Sequence, residues 1–433
     1  MRLTRLLPVL ALLFSVGCDG TAPRVTEVSG PADPADPQAP TGGVNRAEHL
    51  DAPYVVMVSA DGFAARYVGE YEPPNLLRLI ERGLWAPEGM IPSYPTKTFP
   101  NHYTMATGLY PGRHGIVANT FWDPVRGATY RIGDRQAVED GTWYGGEPIW
   151  VTAERQGMVA ASFFWVGSEA DVGGVRPSHW RRYDGGIPNE DRVDQVLAWL
   201  DYPPERRPHL ITLYFSDTDG AGHRYGPGSA ELEAAVADVD RMLGRLLDGL
   251  EALPHGDEVI VVWVSDHGMD SYTAVSTRYL EDAVSLEGLM VPEAGPNANV
   301  WLQAGQRATE LRDRINQRLD GVTAFLRSES PARLHYRQDA RIGDLVLLTD
   351  SSVVVYPTRS RPPTSGFTHG WDPGFVSMRA VFAAAGGGLP EGIRVPPFEN
   401  VHIYPWIAGL LGLSPASGID GDPTVLGRWM DGG

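Results

Sequence analysis

The chain has one cysteine, Cys18, and one lysine, Lys97, in 433 residues. A single thiol excludes a disulfide framework and any metal centre built from several thiolates. Positive charge is also scarce. The net charge of −18 leaves no basic surplus to neutralise polymeric nucleic acid. A small anionic substrate stays open, because bound metal ions can supply local positive charge. The N-terminal apolar run, Leu6 to Phe14, is too short to span a bilayer. No internal repeat of fixed period is present. Glycine and proline are plentiful, at 50 and 36 residues, which suggests a loop-rich globular chain. Its length suits one large domain with insertions, or two or three ordinary ones.

Arg2 and Arg5 precede the short apolar run, the pattern of an export signal. The run ends in Ser15-Val16-Gly17-Cys18, which resembles a bacterial lipoprotein processing site, with Ser15 where leucine is usual. The expectation is a signal peptide over 1–17 and cleavage before Cys18, which then carries the lipid. Plain secretion is the alternative. A Pro/Ala/Asp-rich spacer over 18–51 cannot bury a core and precedes a catalytic domain over 52–433. The expected location is the periplasm or cell envelope, with the membrane reached through the N-terminal lipid anchor alone.

Three short apolar runs each end in an acid. Tyr54 to Ala60 leads into Asp61-Gly62, Leu210 to Phe215 into Ser216-Asp217-Thr218-Asp219, and Val259 to Val264 into Ser265-Asp266-His267. Continuous apolar runs of this length read as buried strands. Helical patterns lie between them: Asn75 to Arg82, and from Ser229 onward Leu232, Val236, Val239, Leu243, Leu246 and Leu250 at steps of three or four. The alternation predicts an α/β fold, a mostly parallel sheet with helices on both faces. A less regular stretch, about 272–363, reads as a small inserted α+β subdomain. In such folds ligands bind beyond the carboxyl ends of the strands, so the three acids should open onto one edge.

Asp61, Asp219, His223 (with Gly222 read as a tight turn), Asp266, His267 and His369 supply three carboxylates and three imidazoles. Thr98, framed by Pro95 and Pro100, adds a hydroxyl that needs activation to act as a nucleophile. Mixed His and Asp ligands suit zinc or another first-row divalent ion. Seven ligands exceed one four-coordinate ion and suit two.

The stretch Pro95-Thr96-Lys97-Thr98-Phe99-Pro100-Asn101-His102-Tyr103, with Asp219-x-x-Gly222-His223, Ser265-Asp266-His267-Gly268 and His369-Gly370, resembles the nucleotide pyrophosphatase/phosphodiesterase family of the alkaline phosphatase superfamily. The resemblance runs from about Tyr54 to the C-terminus and implies an alkaline-phosphatase-like fold. It implies two Zn2+ or other divalent transition-metal ions, one held by Asp219, His223 and His369, the other by Asp61, Asp266, His267 and the Thr98 oxygen. It further implies a phospho-threonine intermediate on Thr98 and a hydrogen bond from Asn119 to a phosphoryl oxygen. A base sandwich between Phe99 and either Trp180 or Tyr183 is implied too. The expected substrates are small nucleotide phosphodiesters or pyrophosphates, cleaved to nucleoside 5'-monophosphates.

Rivals are a phosphomonoesterase, a glycerophosphocholine-type headgroup phosphodiesterase, and a non-catalytic metal-binding surface lipoprotein. A sulfatase is weak, since Thr98-Phe99-Pro100-Asn101-His102 lacks both the convertible residue and the arginine of that frame. The sequence leaves the oligomeric state open, and it supplies no role for Lys97.

Overall fold

Strands that are apolar at every position must be covered on both faces, and the three acid-tipped runs are. The computed structural model describes residues 43–303 and 305–430; Cys18, the signal-like run and most of the spacer lie outside them. The strands Tyr54–Ala60 (β1), Gly83–Trp85 (β2), Ala160–Phe163 (β3), His179–Trp180 (β4), Leu210–Phe215 (β5), Val259–Val264 (β6), Phe382–Ala385 (β7) and Ile393–Arg394 (β8) form one sheet. Their order across it is β8-β2-β7-β6-β1-β5-β3-β4. β1 lies between β5 and β6 and runs parallel to both. β7 runs antiparallel to both its neighbours, so the sheet is mixed and mostly parallel.

Alternation along β1 sends Val55 and Met57 to one core and Tyr54, Val56 and Val58 to the other. The second core is closed by Pro74–Glu81 (α1) and by Ala230–Ala252, the latter capped by Ser229 accepting from the Leu232 amide. The first core includes Met105 and Ala106 of Thr98–Thr107 (α2) and Ile407 of the closing helix Ile403–Leu410.

Between Leu289 and Thr349 a second, antiparallel four-stranded sheet packs its own core against the helix Ala308–Arg318. Val354–Tyr356 pairs elsewhere, in parallel with Thr277–Tyr279. Among the described residues no helix is long and apolar enough to cross a membrane.

Candidate metal centre and substrate cleft

The parallel order of β6, β1 and β5 brings their acid-bearing ends together. Asp61 follows β1 and Asp266 follows β6. After β5 the chain turns directly into the helix Asp217–Tyr225 (α3). Asp219 and His223 are therefore four residues apart on one helical face. The tight turn expected at Gly222 is absent; Gly222 lies within α3, where a β-carbon would stand 2.8 Å from Met269 Cε. Gly62 does make a turn, at φ +67°, and a β-carbon there would stand 2.9 Å from the Asp219 α-carbon. Only glycine lets α3 come this close to the end of β1.

The six metal-ligand candidates fall into two groups whose ligand atoms lie within 4.8 Å of one another. Asp219, His223 and His369 make one, and Asp61, Asp266 and His267 the other. Each imidazole has its Nδ1 against a main-chain carbonyl: His223 on Phe367 (2.9 Å), His267 on Gly268 (2.9 Å) and His369 on Thr96 (2.8 Å). Nδ1 must donate in each case, which turns the Nε2 lone pair toward the carboxylates. His267 Nε2 is 3.0 Å from Asp266 Oδ2 and 3.6 Å from Asp61 Oδ1. The Nε2 atoms of His223 and His369 stand 3.4 and 3.7 Å from Asp219 Oδ1.

Asp61 Oδ1, Asp219 Oδ1 and Asp266 Oδ2 are buried with no hydrogen-bond donor satisfying them. Oxygen and nitrogen lone pairs facing one another with no donor between them fit divalent cations. The electrostatics agree. Burial, then the charges of Asp266 and Asp219, pushes the Asp61 carboxyl well above its usual range. Burial, then His267, His223 and Lys97, drives the His369 imidazole well down, which keeps it neutral and able to ligate.

Thr98 is the first residue of α2, with Lys97 as its extended cap. Its Oγ lies 3.4 Å from His267 Nε2, beside the buried cluster. Asn119 Oδ1 accepts the Phe99 amide at 3.0 Å, which identifies the other end of that amide, Nδ2, as a free donor. His102, one turn along α2, sets its Nδ1 2.9 Å from the Thr98 carbonyl and 3.5 Å from Asp266 Oδ2.

A cleft of about 390 Å³ opens from Asp61, Thr98 and Asp219 and is walled by Phe99, Phe164 and Tyr183. Tyr183 is 41% exposed, and its ring meets Phe164 edge-on at 5.0 Å. Phe164 holds the left-handed φ of +70°, a strained backbone for a bulky residue. Trp180 does not join this wall. It is buried on edge strand β4, with the Arg176 guanidinium 5.5 Å from its ring. Of Trp180 and Tyr183, only Tyr183 lines the cleft.

Sequence reasoning missed Tyr214, whose hydroxyl donates to Asp61 Oδ2 at 2.6 Å. Burial, then the charge of Asp61, holds that phenol well above its usual range, so it stays a donor. A lone polar ring in an otherwise apolar strand was the available signal. Also missed was the ion pair between Arg135 and buried Glu169 at the far end of the cleft.

Comparison with known proteins agrees with this geometry. Residues 55–372 match the family described as Type I phosphodiesterase / nucleotide pyrophosphatase. Human ectonucleotide pyrophosphatase/phosphodiesterase family member 1 is 34% identical over 403 residues, covering 88% of this chain and 41% of the relative. Venom phosphodiesterase CdcPDE of Crotalus durissus collilineatus is 35% identical over 84% of this chain and 44% of its own length. The chain thus spans less than half the length of these curated relatives. Murine ectonucleotide pyrophosphatase/phosphodiesterase 5 superposes with a TM-score of 0.82 at 25% identity, covering 87% of this chain and all of that one. An inactive form of the same murine protein, in complex with AMP, aligns equally well, at a TM-score of 0.82 over 88% of this chain. The chain belongs to the type I phosphodiesterase/nucleotide pyrophosphatase family.

Proposed function

We propose that this protein is a two-metal phosphodiesterase and nucleotide pyrophosphatase that releases nucleoside 5'-monophosphates through a phospho-threonine intermediate. The observation that carries the reading is the single cleft in which the Thr98 hydroxyl, one acid from each cluster (Asp61 and Asp219) and an aromatic wall meet.

Asp219, His223 and His369 would hold one ion, and Asp61, Asp266 and His267, with the Thr98 oxygen, the other; zinc suits the donor set. When bound, such ions supply the positive charge that activates a hydroxyl and neutralises phosphoryl oxygens. Thr98 Oγ attacks phosphorus, forming one O–P bond as the bond to the leaving oxygen breaks, and the leaving oxygen takes a proton. Water then cleaves the threonine ester and regenerates the hydroxyl. The Asn119 amide donates to a phosphoryl oxygen, a contribution of roughly 3 kcal/mol in comparable sites. Phe99 and Tyr183 would stack on the base, and the AMP complex of the murine relative supports a nucleotide as substrate.

Diesters fit better than monoesters. Among the described residues lining the cleft, Arg135 is the only basic side chain, and it is paired with Glu169. No free cation there meets a monoester's extra charge. The same pairing occupies the acid that a choline headgroup would seek. Bis-p-nitrophenyl phosphate should turn over faster than p-nitrophenyl phosphate; the reverse preference would overturn the reading.

Arg2, Arg5, Leu6 to Phe14 and Cys18 support export and a lipid anchor. Mass spectrometry of the mature N-terminus should find an acylated Cys18, and an unmodified chain beginning elsewhere would refute the anchor.

A further inference from the structure

Lys97, the only lysine in the chain, is 7% exposed. Its ammonium pairs with Glu293 Oε1, and the other oxygen of that carboxylate accepts the Thr120 amide at 2.6 Å. Glu293 comes from the loop between Leu289–Met290 and Asn297–Leu302, in the second sheet. The loop is pinned where Gly295 O accepts the Val355 amide at 2.8 Å.

Lys97 immediately precedes Thr98, and Thr120 immediately follows Asn119. One carboxylate thus grips the neighbours of the nucleophile and of the phosphoryl donor. On the cleft side the same two segments are joined by the Asn119–Phe99 hydrogen bond. A single bond leaves a pivot between two segments, whereas two separated attachments fix their angle. Attack needs Thr98 Oγ and the Asn119 amide to converge on one phosphoryl group, and a 1 Å error in such placement can lower rates about a hundredfold.

We propose that Glu293 is a positioning residue, which holds Thr98 and Asn119 in register by bridging Lys97 to the Thr120 main chain. The inference rests on the phosphodiesterase reading, and it makes the second sheet part of the catalytic apparatus. It also gives the sole lysine a purpose: a buried ammonium needs a fixed counter-charge, and that charge is the bridge.

The test uses the full chain loaded with zinc, with the p-nitrophenyl ester of thymidine 5'-monophosphate as substrate. Glu293→Ala should lower kcat about ten- to a hundredfold while KM stays within about threefold. Glu293→Gln keeps an oxygen for Thr120 and should fall between it and the parent. Zinc content should not change, and amide exchange over 95–101 and 117–123 should accelerate in the Ala variant. Unchanged kcat in Glu293→Ala overturns the proposal, whether or not exchange changes, as does a lost kcat that follows lost zinc. If Glu293→Ala does not fold, Glu293→Gln decides by the same readings. A parent protein without diesterase activity would sink the functional reading instead. The exchange arm would still show whether Glu293 couples the two segments.

Discussion

The two acid clusters differ most in how far water reaches them. The side chains of Asp61, Asp266 and His267 are 2%, 0% and 0% exposed. Those of Asp219, His223 and His369 are 22%, 39% and 7% exposed. The buried cluster sits on the ends of β1 and β6, and each of its acids receives protein hydrogen bonds, from Tyr214 to Asp61 and from the Gly62 amide (3.1 Å) to Asp266. The open cluster rides on α3 and on the strap that carries His369. Under the proposed mechanism the difference teaches a division of labour. The cluster beside Thr98 is dry, where a bound cation's field on a hydroxyl would be strongest. The other faces solvent, the side on which water would enter and a leaving group would depart.

Removing the nucleophile gives the largest effect. Thr98→Ala should lower kcat on nucleotide esters by about a thousandfold or more, with the metal content of both clusters retained. Residual activity near the parent's would break the assignment. Next comes a direct contrast between clusters in activity and stability. Asp266→Ala and His223→Ala should both cripple turnover. In denaturant unfolding of the metal-free proteins, however, Asp266→Ala should cost about 2–4 kcal/mol, because it strands buried partners. His223→Ala should change stability by about 0.5 kcal/mol or less. Equal losses would erase the distinction. Tyr214→Phe sharpens it further. It removes one hydrogen bond from Asp61 and should weaken metal retention about ten- to a hundredfold at the buried cluster alone, measured by competition with a chelator.

The last contrast concerns a histidine with no carboxylate beside it. His209 stacks on Tyr54 with ring centroids 4.4 Å apart, and burial pulls its imidazole down to about 4. His267 is also buried, and burial lowers it most, but the charge and hydrogen bond of Asp266, with Asp219 and the Gly268 carbonyl, together raise it. The folded value of His209 lies below the unfolded value of 6.5, so the folded state binds fewer protons. Its contribution is complete above pH about 6.5 and is lost as pH falls toward 4, by at most about 3 kcal/mol. Melting scans of the parent and His209→Phe should show the parent losing more stability between pH 7 and 5.

The fold class and the two candidate metal-binding clusters were legible because each member stands close to a local signal. Asp61 and Asp266 end apolar runs, and His223 follows Asp219 at helical spacing. Gly222 was misread because glycine signals a turn and a close approach equally well, and the demand came from Met269, far along the chain. Tyr214 left only its polar ring as a signal, and Glu293 left none, for the same reason. Their partners, Asp61 and Lys97, are 153 and 196 residues away in sequence. Trp180 and Tyr183 both stand near the expected position, and only the edge-strand placement of Trp180 separates them.

The imidazoles of both clusters are oriented by the carbonyls of Phe367, Gly268 and Thr96. A side-chain acceptor can be deleted by one codon change, whereas a carbonyl survives every substitution. Substitution at Phe367 or Thr96 leaves that acceptor in place, whereas at Gly268 any β-carbon would stand 2.1 Å from the Ser377 carbonyl oxygen and must shift the backbone. Asp61 differs, because a phenol orients it. Ring orientation in the three histidines is thus written into the main chain, whereas the orientation of Asp61 hangs on one side chain, Tyr214.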